Sequence, residues 1–219
     1  VNANPDPQES PTQAVVPGAE QLVQYIALLQ NKRVGVVANQ TSILQHYTPS
    51  QVKASAASNN AMHLIDVLRA EGINVVRVFA PEHGFRGQAD AGALLKDGLD
   101  PATQLPVMSL YGASKKPQPE HLTDIDVMVF DIQDVGARFY TYLSTLHYVM
   151  EACAEQDIPL IVLDRPNPNA HYIDGPILEL SQSSFVGLHP VPVVYGMTIG
   201  EYATMINGQG WLKDHISCN

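Results

Sequence analysis

The residues of this 219-residue chain that could do acid–base chemistry are gathered in a few short runs. Ala80-Pro81-Glu82-His83-Gly84-Phe85-Arg86-Gly87 sets one carboxyl on a tight loop bounded by proline and glycine, beside an aromatic ring. Burial disfavours the charged form of a carboxyl, and a carboxyl so affected is a usable general acid near neutral pH. The plainer alternative is that Glu82 pairs with Arg86 and caps a helix. A second run, Asp131-Ile132-Gln133-Asp134-Val135-Gly136-Ala137-Arg138-Phe139-Tyr140-Thr141-Tyr142, opens with two carboxylates three residues apart. Asp131 ends an apolar stretch and is read as a working acid. Asp134, with Gly136 two residues on, is read first as a turn residue accepting backbone N–H groups. Arg138 either grips a ligand carboxylate in bidentate fashion or pairs with one of these aspartates. Tyr140 and Tyr142 offer ring faces for stacking on a sugar, or open a helix as part of the core.

Two further runs are polar and stiff or turn-rich. Asn39-Gln40-Thr41-Ser42 follows an apolar stretch, and Asp164-Arg165-Pro166-Asn167-Pro168-Asn169 is held by two prolines, each fixing its own φ and restricting its predecessor. The latter is equally a ligand support or a structural brace. His83, Asp131, Asp134 and His171 could gather round a divalent ion, but no HxH or HExxH spacing supports a metal site. There is no GxGxxG fingerprint, no GxxxxGK[ST] phosphate loop and no GxSxG elbow, so nicotinamide dehydrogenases, P-loop enzymes and typical α/β hydrolases are disfavoured. No cofactor is expected.

The elements that must position these runs are legible from periodicity. Leu22, Tyr25, Ile26 and Leu29 share one helical face, as do Ala61, Leu64, Ile65 and Leu68 before Gly72. A longer helix spans about Tyr142 to Gln156, with Leu143, Leu146, Met150 and Cys153 on one side. Thr198-Ile199-Gly200-Glu201 has capping-box spacing ahead of Tyr202, Ala203 and Ile206. Between the helices, Val34–Ala38, Ile73–Phe79, Leu105–Leu110, Val127–Phe130 and Leu160–Leu163 are read as strands, mostly apolar rather than alternating. Such strands are buried on both faces, which predicts an α/β fold with an open, mostly parallel sheet covered by helices on both sides. The stretch from Asn39 to Asn60 is read as a loop. In such sheets ligands bind beyond the carboxyl ends of the strands, and the four polar runs all lie there.

Composition narrows the partners. The chain carries 12 Lys and Arg against 22 Asp and Glu, a formal net charge of −10, and lacks the basic face that a nucleic-acid binder needs to displace counterions. No stretch has the length of a membrane span. Residues 1–17, with Pro5, Pro7, Pro11 and Pro17, are read as a flexible tether, and 18–219 as one domain. Cys153 and Cys218 form no CxxC pattern, and Cys153 is expected as a small buried apolar residue.

Taken together, the Glu82 and Asp131 runs closely resemble blocks of the NamZ-type peptidoglycan exo-β-N-acetylmuramidases. Val36-Val37-Ala38-Asn39-Gln40-Thr41, Asp164-Arg165-Pro166-Asn167-Pro168, Gly175-Pro176, Ser184-Phe185-Val186-Gly187 and Tyr195-Gly196-Met197-Thr198-Ile199-Gly200-Glu201 match further blocks in order. The resemblance covers nearly everything after the tether. It implies a Rossmann-like N-terminal domain, with the family's C-terminal domain absent from this chain. The implied activity is release of N-acetylmuramic acid from the non-reducing ends of peptidoglycan chains. It also implies that Glu82 is the catalytic acid, with His83, Arg86, Asp131, Asp134 and Arg138 lining its cleft; the position of Tyr195 is a histidine in some relatives. Glycoside cleavage commonly uses a second carboxyl, and Glu82 with Asp131 is the expected pair. Tyr140, Asp164, Arg165 and Asn39 complete the expected substrate contacts. One of Arg86, Arg138 and Arg165 is expected to read the lactyl carboxylate that marks muramic acid. The expected partners are muramyl sugars in an exported location, with a homo-oligomer left open. The alternatives are a glycan-binding module that kept the cleft but lost the reaction, and a metal-assisted hydrolase.

Overall fold

In the computed structural model, the residues described are 15–47, 61–82, 84–86, 97–112 and 114–219. In chain order the regular elements are α1 (Leu22–Leu29), β1 (Arg33–Ala38), β2 (Ile43–Leu44), β3 (Met62–His63), α2 (Leu64–Ala70), β4 (Asn74–Ala80), β5 (Gly98–Leu99), β6 (Pro106–Ser109), β7 (Val127–Asp131), α3 (Tyr142–Glu155), β8 (Leu160–Val162) and α4 (Ile199–Gly208). Six strands form one sheet in the order β5-β6-β4-β1-β7-β8, and all neighbours are parallel except β5 with β6.

Alternation along each strand sends successive side chains to opposite, covered faces, which explains why its residues are mostly apolar. Val34, Val36 and Ala38 of β1, Val78 of β4, and Val127 and Val129 of β7 pack with Leu29 of α1 and Leu64, Ile65 and Leu68 of α2. Val37, Phe79, Met128 and Phe130 point the other way and pack with Leu146, Val149 and Cys153 of α3 and Ile199, Tyr202 and Ile206 of α4. The sheet is therefore the middle of three layers, the α/β architecture expected. Cys153 is fully buried and free, and burial pushes its thiol pKa well up. No described helix is long and apolar enough to cross a membrane.

Three short elements depart from the expectations. Ile43–Leu44 lies within the stretch read as loop, yet pairs antiparallel with Met62–His63. Leu64 N still donates to Ser42 O at 2.8 Å, so helix α2 starts at Leu64 rather than near Ala61. His63 caps it, its Nδ1 accepting from Ile65 N at 3.3 Å. Gly98–Leu99 is an edge strand that no pattern announced. The capping box is as expected: Thr198 Oγ1 accepts from Glu201 N, and the Glu201 carboxylate accepts from Thr198 N. The first 14 residues of the expected tether, and residues 48–60, lie outside the described residues.

Candidate active site

From β1 the chain moves to β4 and then β6 on one side of the sheet, then returns to β7 and β8 on the other. The reversal falls between β1 and β7, where Ala38 is in register with Asp131, and loops that part at such a point leave a crevice. Asn39 leaves β1 there, Asp131 and Asp134 leave β7, and Glu82 leaves β4 next door.

Short hydrogen bonds fix the floor of this crevice. Ser42 Oγ accepts from Asn39 N at 3.0 Å and donates to Asp131 O at 2.5 Å, tying the ends of β1 and β7 together. Asn39 Oδ1 accepts from Thr41 N at 2.9 Å and Thr41 Oγ1 at 2.5 Å, which sets the plane of its amide. With Oδ1 so occupied, Nδ2 must face away from the turn. It is buried and has no hydrogen-bond partner among the described residues.

Glu82 sits above this floor. Its Oε2 accepts from Thr141 Oγ1 at 2.9 Å, and the same carboxylate, lying near the Tyr111 phenol, raises the phenol's pKa. No Lys or Arg pairs with Glu82 among the described residues; Arg86 instead grips Asp100 at 2.8 and 2.9 Å and reaches Asp66 at 3.2 Å. That guanidinium holds the Asp100 carboxyl far below the usual carboxylate range. Tyr142 opens α3 beside Thr141, and burial, with the Glu82 and Asp134 charges acting in the same direction, raises its phenol pKa. Tyr140, half exposed, continues the aromatic wall with its ring 6.4 Å from that of Tyr142 and 5.7 Å from that of Phe139.

The two aspartates after β7 are handled differently. Asp131 is fully buried and takes Arg165 in bidentate fashion, Nε at 2.6 Å and Nη2 at 3.0 Å. Burial pushes its pKa up and the guanidinium opposes this. Asp134 Oδ2 accepts from Gly136 N at 2.8 Å and from the Tyr195 hydroxyl, while its buried Oδ1 has no partner among the described residues. Burial raises the Asp134 pKa against the pull of Tyr195 and the backbone amides. Gly136 turns the chain at φ 77°, and a Cβ there would lie 2.2 Å from Asn167 Oδ1, so this turn requires glycine.

These blocks can be compared with known proteins. The family described as "Exo-beta-N-acetylmuramidase NamZ, N-terminal" matches residues 34–218. The chain belongs to this family. A peptidoglycan β-N-acetylmuramidase NamZ of Bacillus subtilis (strain 168) is 46% identical over 188 residues, covering 85% of this chain and 42% of that protein. Two crystal structures of DUF1343 family proteins from Bacteroides fragilis NCTC 9343 are each 41% identical. One has a TM-score of 0.77 and covers 94% of this chain and 50% of its own; the other has 0.78, with 93% and 48%. The chain thus spans half or less of the length of these relatives.

Within this NamZ N-terminal domain, the expected site residues divide. Glu82 hydrogen-bonds to Thr141, next to Tyr142 whose ring lies 6.4 Å from that of Tyr140, while Asn39 and Asp134 follow the adjoining ends of β1 and β7. The expected pairing of Glu82 with Asp131 meets a buried ion pair in which Arg165 takes both Asp131 oxygens. Asp164 accepts from Gly200 N at 2.8 Å and Thr198 Oγ1 at 2.7 Å, which places it at the start of α4 as a brace. Arg138 donates to the Pro176 carbonyl at 2.8 Å and to that of Val191. His83 lies outside the described residues. His171, named with it as a metal ligand, lies tilted against the Tyr172 ring on an exposed stretch. Among the described residues no three His, Cys, Asp or Glu side chains gather to hold a metal ion. Thr141 and Tyr111 were not foreseen. Tyr111 follows β6, so applying the carboxyl-end rule to that strand too would have found it.

Proposed function

We propose that this chain carries the acid and the floor of the sugar site of an exo-acting glycosidase. The enzyme releases N-acetylmuramic acid from the non-reducing ends of peptidoglycan. The observation that carries this reading is Glu82, held at the crevice by the Thr141 hydroxyl and paired with no Lys or Arg among the described residues. A carboxyl oriented this way can pass a proton to a leaving glycosidic oxygen and take one back from water, whereas an ion-paired one is committed. The 46% identity to a protein named as a peptidoglycan muramidase supports the same substrate. In this reading Asp131 is a positioning residue whose ion pair with Arg165 holds β7 against the 164–169 loop. Export to the wall, where such chain ends occur, follows from the substrate.

The lactyl carboxylate falls to Arg138. Arg86 and Arg165 already face aspartates, but Arg138 meets only backbone carbonyls, so its charge has no carboxylate among the described residues. The Arg138→Ala variant is expected to lose most of its discrimination between muramic acid and N-acetylglucosamine substrates, on the order of the 10–100-fold that one charge-assisted contact contributes. Unchanged discrimination would remove this role.

The test of the main reading is release of N-acetylmuramic acid from a muramyl-glucosamine disaccharide by the full-length protein. Glu82→Gln should slow it by about 10²–10⁴-fold, the usual contribution of a general acid. Binding of the disaccharide without turnover would instead make the domain a glycan-binding module.

A further inference from the structure

The crevice holds two buried polar atoms with no partner among the described residues, and they are of opposite kinds. Asn39 Nδ2 is a donor on a residue 0% exposed, and Asp134 Oδ1 is an acceptor on a residue 4% exposed. Each is aimed by its own other atom: Thr41 holds Asn39 Oδ1, and Tyr195 with Gly136 holds Asp134 Oδ2. Ala38 is in register with Asp131, and Gln133 N donates at 2.9 Å to the Thr41 hydroxyl that holds Asn39 Oδ1, so Asn39 and Asp134 leave adjoining strand ends that are tied together. Leaving a buried polar group unsatisfied costs about 1–3 kcal/mol, so two such atoms in one crevice point to a ligand that satisfies both.

A secondary amide does so, since it presents one N–H and one C=O. Resting on the function proposed above, we infer that Asp134 and Asn39 hold the 2-acetamido group of the sugar. We further infer that this group, rather than a protein carboxylate, is the nucleophile. Asp134 Oδ1 accepts the acetamide N–H and Asn39 Nδ2 steadies its carbonyl. The carbonyl oxygen attacks C1 and forms a C1–O bond as the glycosidic C1–O bond breaks. The leaving oxygen departs with the proton of Glu82, and the resulting oxazolinium N–H remains on the Asp134 carboxylate. Water then attacks C1 and loses its proton to the Glu82 carboxylate. The acetamide is restored and the β-configuration retained.

The arrangement accounts for an otherwise awkward fact about the acids. The second carboxyl that glycoside cleavage commonly uses is not supplied by Asp131, which is closed off by Arg165. A substrate that brings its own nucleophile needs from the protein an acid and an acetamide holder, and Glu82 and Asp134 meet those two needs.

The experiment varies the substrate, so no folding defect can confuse it. Aryl β-muramides bearing N-acetyl, N-fluoroacetyl and N-trifluoroacetyl groups are given to the full-length protein, and the first-formed anomer is read by NMR. Fluorine withdraws electrons from the attacking oxygen. Turnover should fall on the order of 10²-fold across the series, comparable to losing one transition-state contact, with the β-anomer formed first. In Asp134→Asn, kcat should fall with KM little changed, and a muramyl thiazoline that mimics the cyclised intermediate should lose its advantage over the parent sugar. Rates within a few-fold across the series, or the α-anomer as first product, would overturn the acetamide role and leave the Glu82 assignment standing. No turnover of any of the three sugars would overturn both.

Discussion

At the end of β7, two aspartates three residues apart live in contrasting surroundings. Both oxygens of Asp131 are taken by Arg165, and the guanidinium goes on to the Ile43 carbonyl at 3.3 Å. Asp134 has one oxygen fixed and the other left without a partner among the described residues. The same contrast extends to their neighbours. Asp164, on the Asp131 side, spends its oxygens on Thr198, Gly200 and Arg165 N. Glu82 and Asn39, on the Asp134 side, are aimed by hydroxyls and keep bonding capacity in reserve. Both flanks lie in the same crevice and carry the same residue types. Saturation is what separates a brace from a site, because a group that must bind something has to be left wanting a partner in the free protein.

The sharpest way to break this comparison is to remove the brace. Arg165→Met leaves a buried Asp131 without its counter-charge and should cost about 3–5 kcal/mol of stability, measured by urea unfolding. Removing both charges in Asp131→Leu with Arg165→Met should recover much of that loss, since the penalty lies in the orphaned charge. A single variant as stable as the parent would mean that the pair does not brace the fold.

A second saturated cluster adds a pH-dependent case. His189 is buried under the stacked ring of Trp211, with Nε2 at 3.0 Å from His147 Nδ1 and Nδ1 at 3.1 Å from the Tyr202 hydroxyl. Burial pushes its pKa down from 6.5 to about 3, and that of His147 down as well, with Glu151 opposing and Lys116 assisting the latter. A histidine with a depressed folded pKa binds its proton more readily when unfolded. The stability it confers is present above pH 6.5 and is lost as the pH falls below that value. The expected slope is roughly 1 kcal/mol per pH unit on the acid side of 6.5, and His189→Gln should flatten it. A flat profile between pH 7 and 5 in the parent would remove the claim.

These contrasts also mark what a reader of the sequence can and cannot see. The central strands β1, β4 and β7 were legible because burial on two faces keeps them mostly apolar, with Arg33, Asn74 and Asp131 at strand ends and Arg77 half-buried. β2, β3 and β5 were not, because two residues have no period. The carboxyl-end rule pointed to the strand ends, and the structure places Glu82, Asn39 and Asp134 just past them. The rule could not say which acid was free. The partner of Asp131 lies 34 residues away, and only the folded chain shows that Arg165 closes it. Likewise Arg86 stands beside Glu82 in sequence yet turns to Asp66 and Asp100, contacts that no local spacing records.

A smaller effect is expected at the cap that the brace supports. Thr198 Oγ1 accepts from Glu201 N at 3.2 Å and donates to Asp164 at 2.7 Å. Thr198→Ala should cost about 1 kcal/mol, as for a typical N-cap, without altering substrate discrimination. A loss of activity larger than the loss of folded protein would show that the brace is coupled to the site after all.

The smallest expected change in stability is also the one that separates the two flanks most cleanly. Glu82→Gln keeps the shape of the side chain and an oxygen to accept from Thr141, and it breaks no ion pair among the described residues. Its unfolding free energy should stay within about 0.5 kcal/mol of the parent, the range of substitutions away from core and network features. Arg165→Met should unfold far more readily while its remaining folded fraction keeps Glu82, Thr141 and Tyr111 in place. One flank therefore trades in stability and the other in chemistry. If Glu82→Gln proves strongly destabilising, the carboxylate is itself part of the brace, and the acid must be sought among the groups round Tyr142 instead.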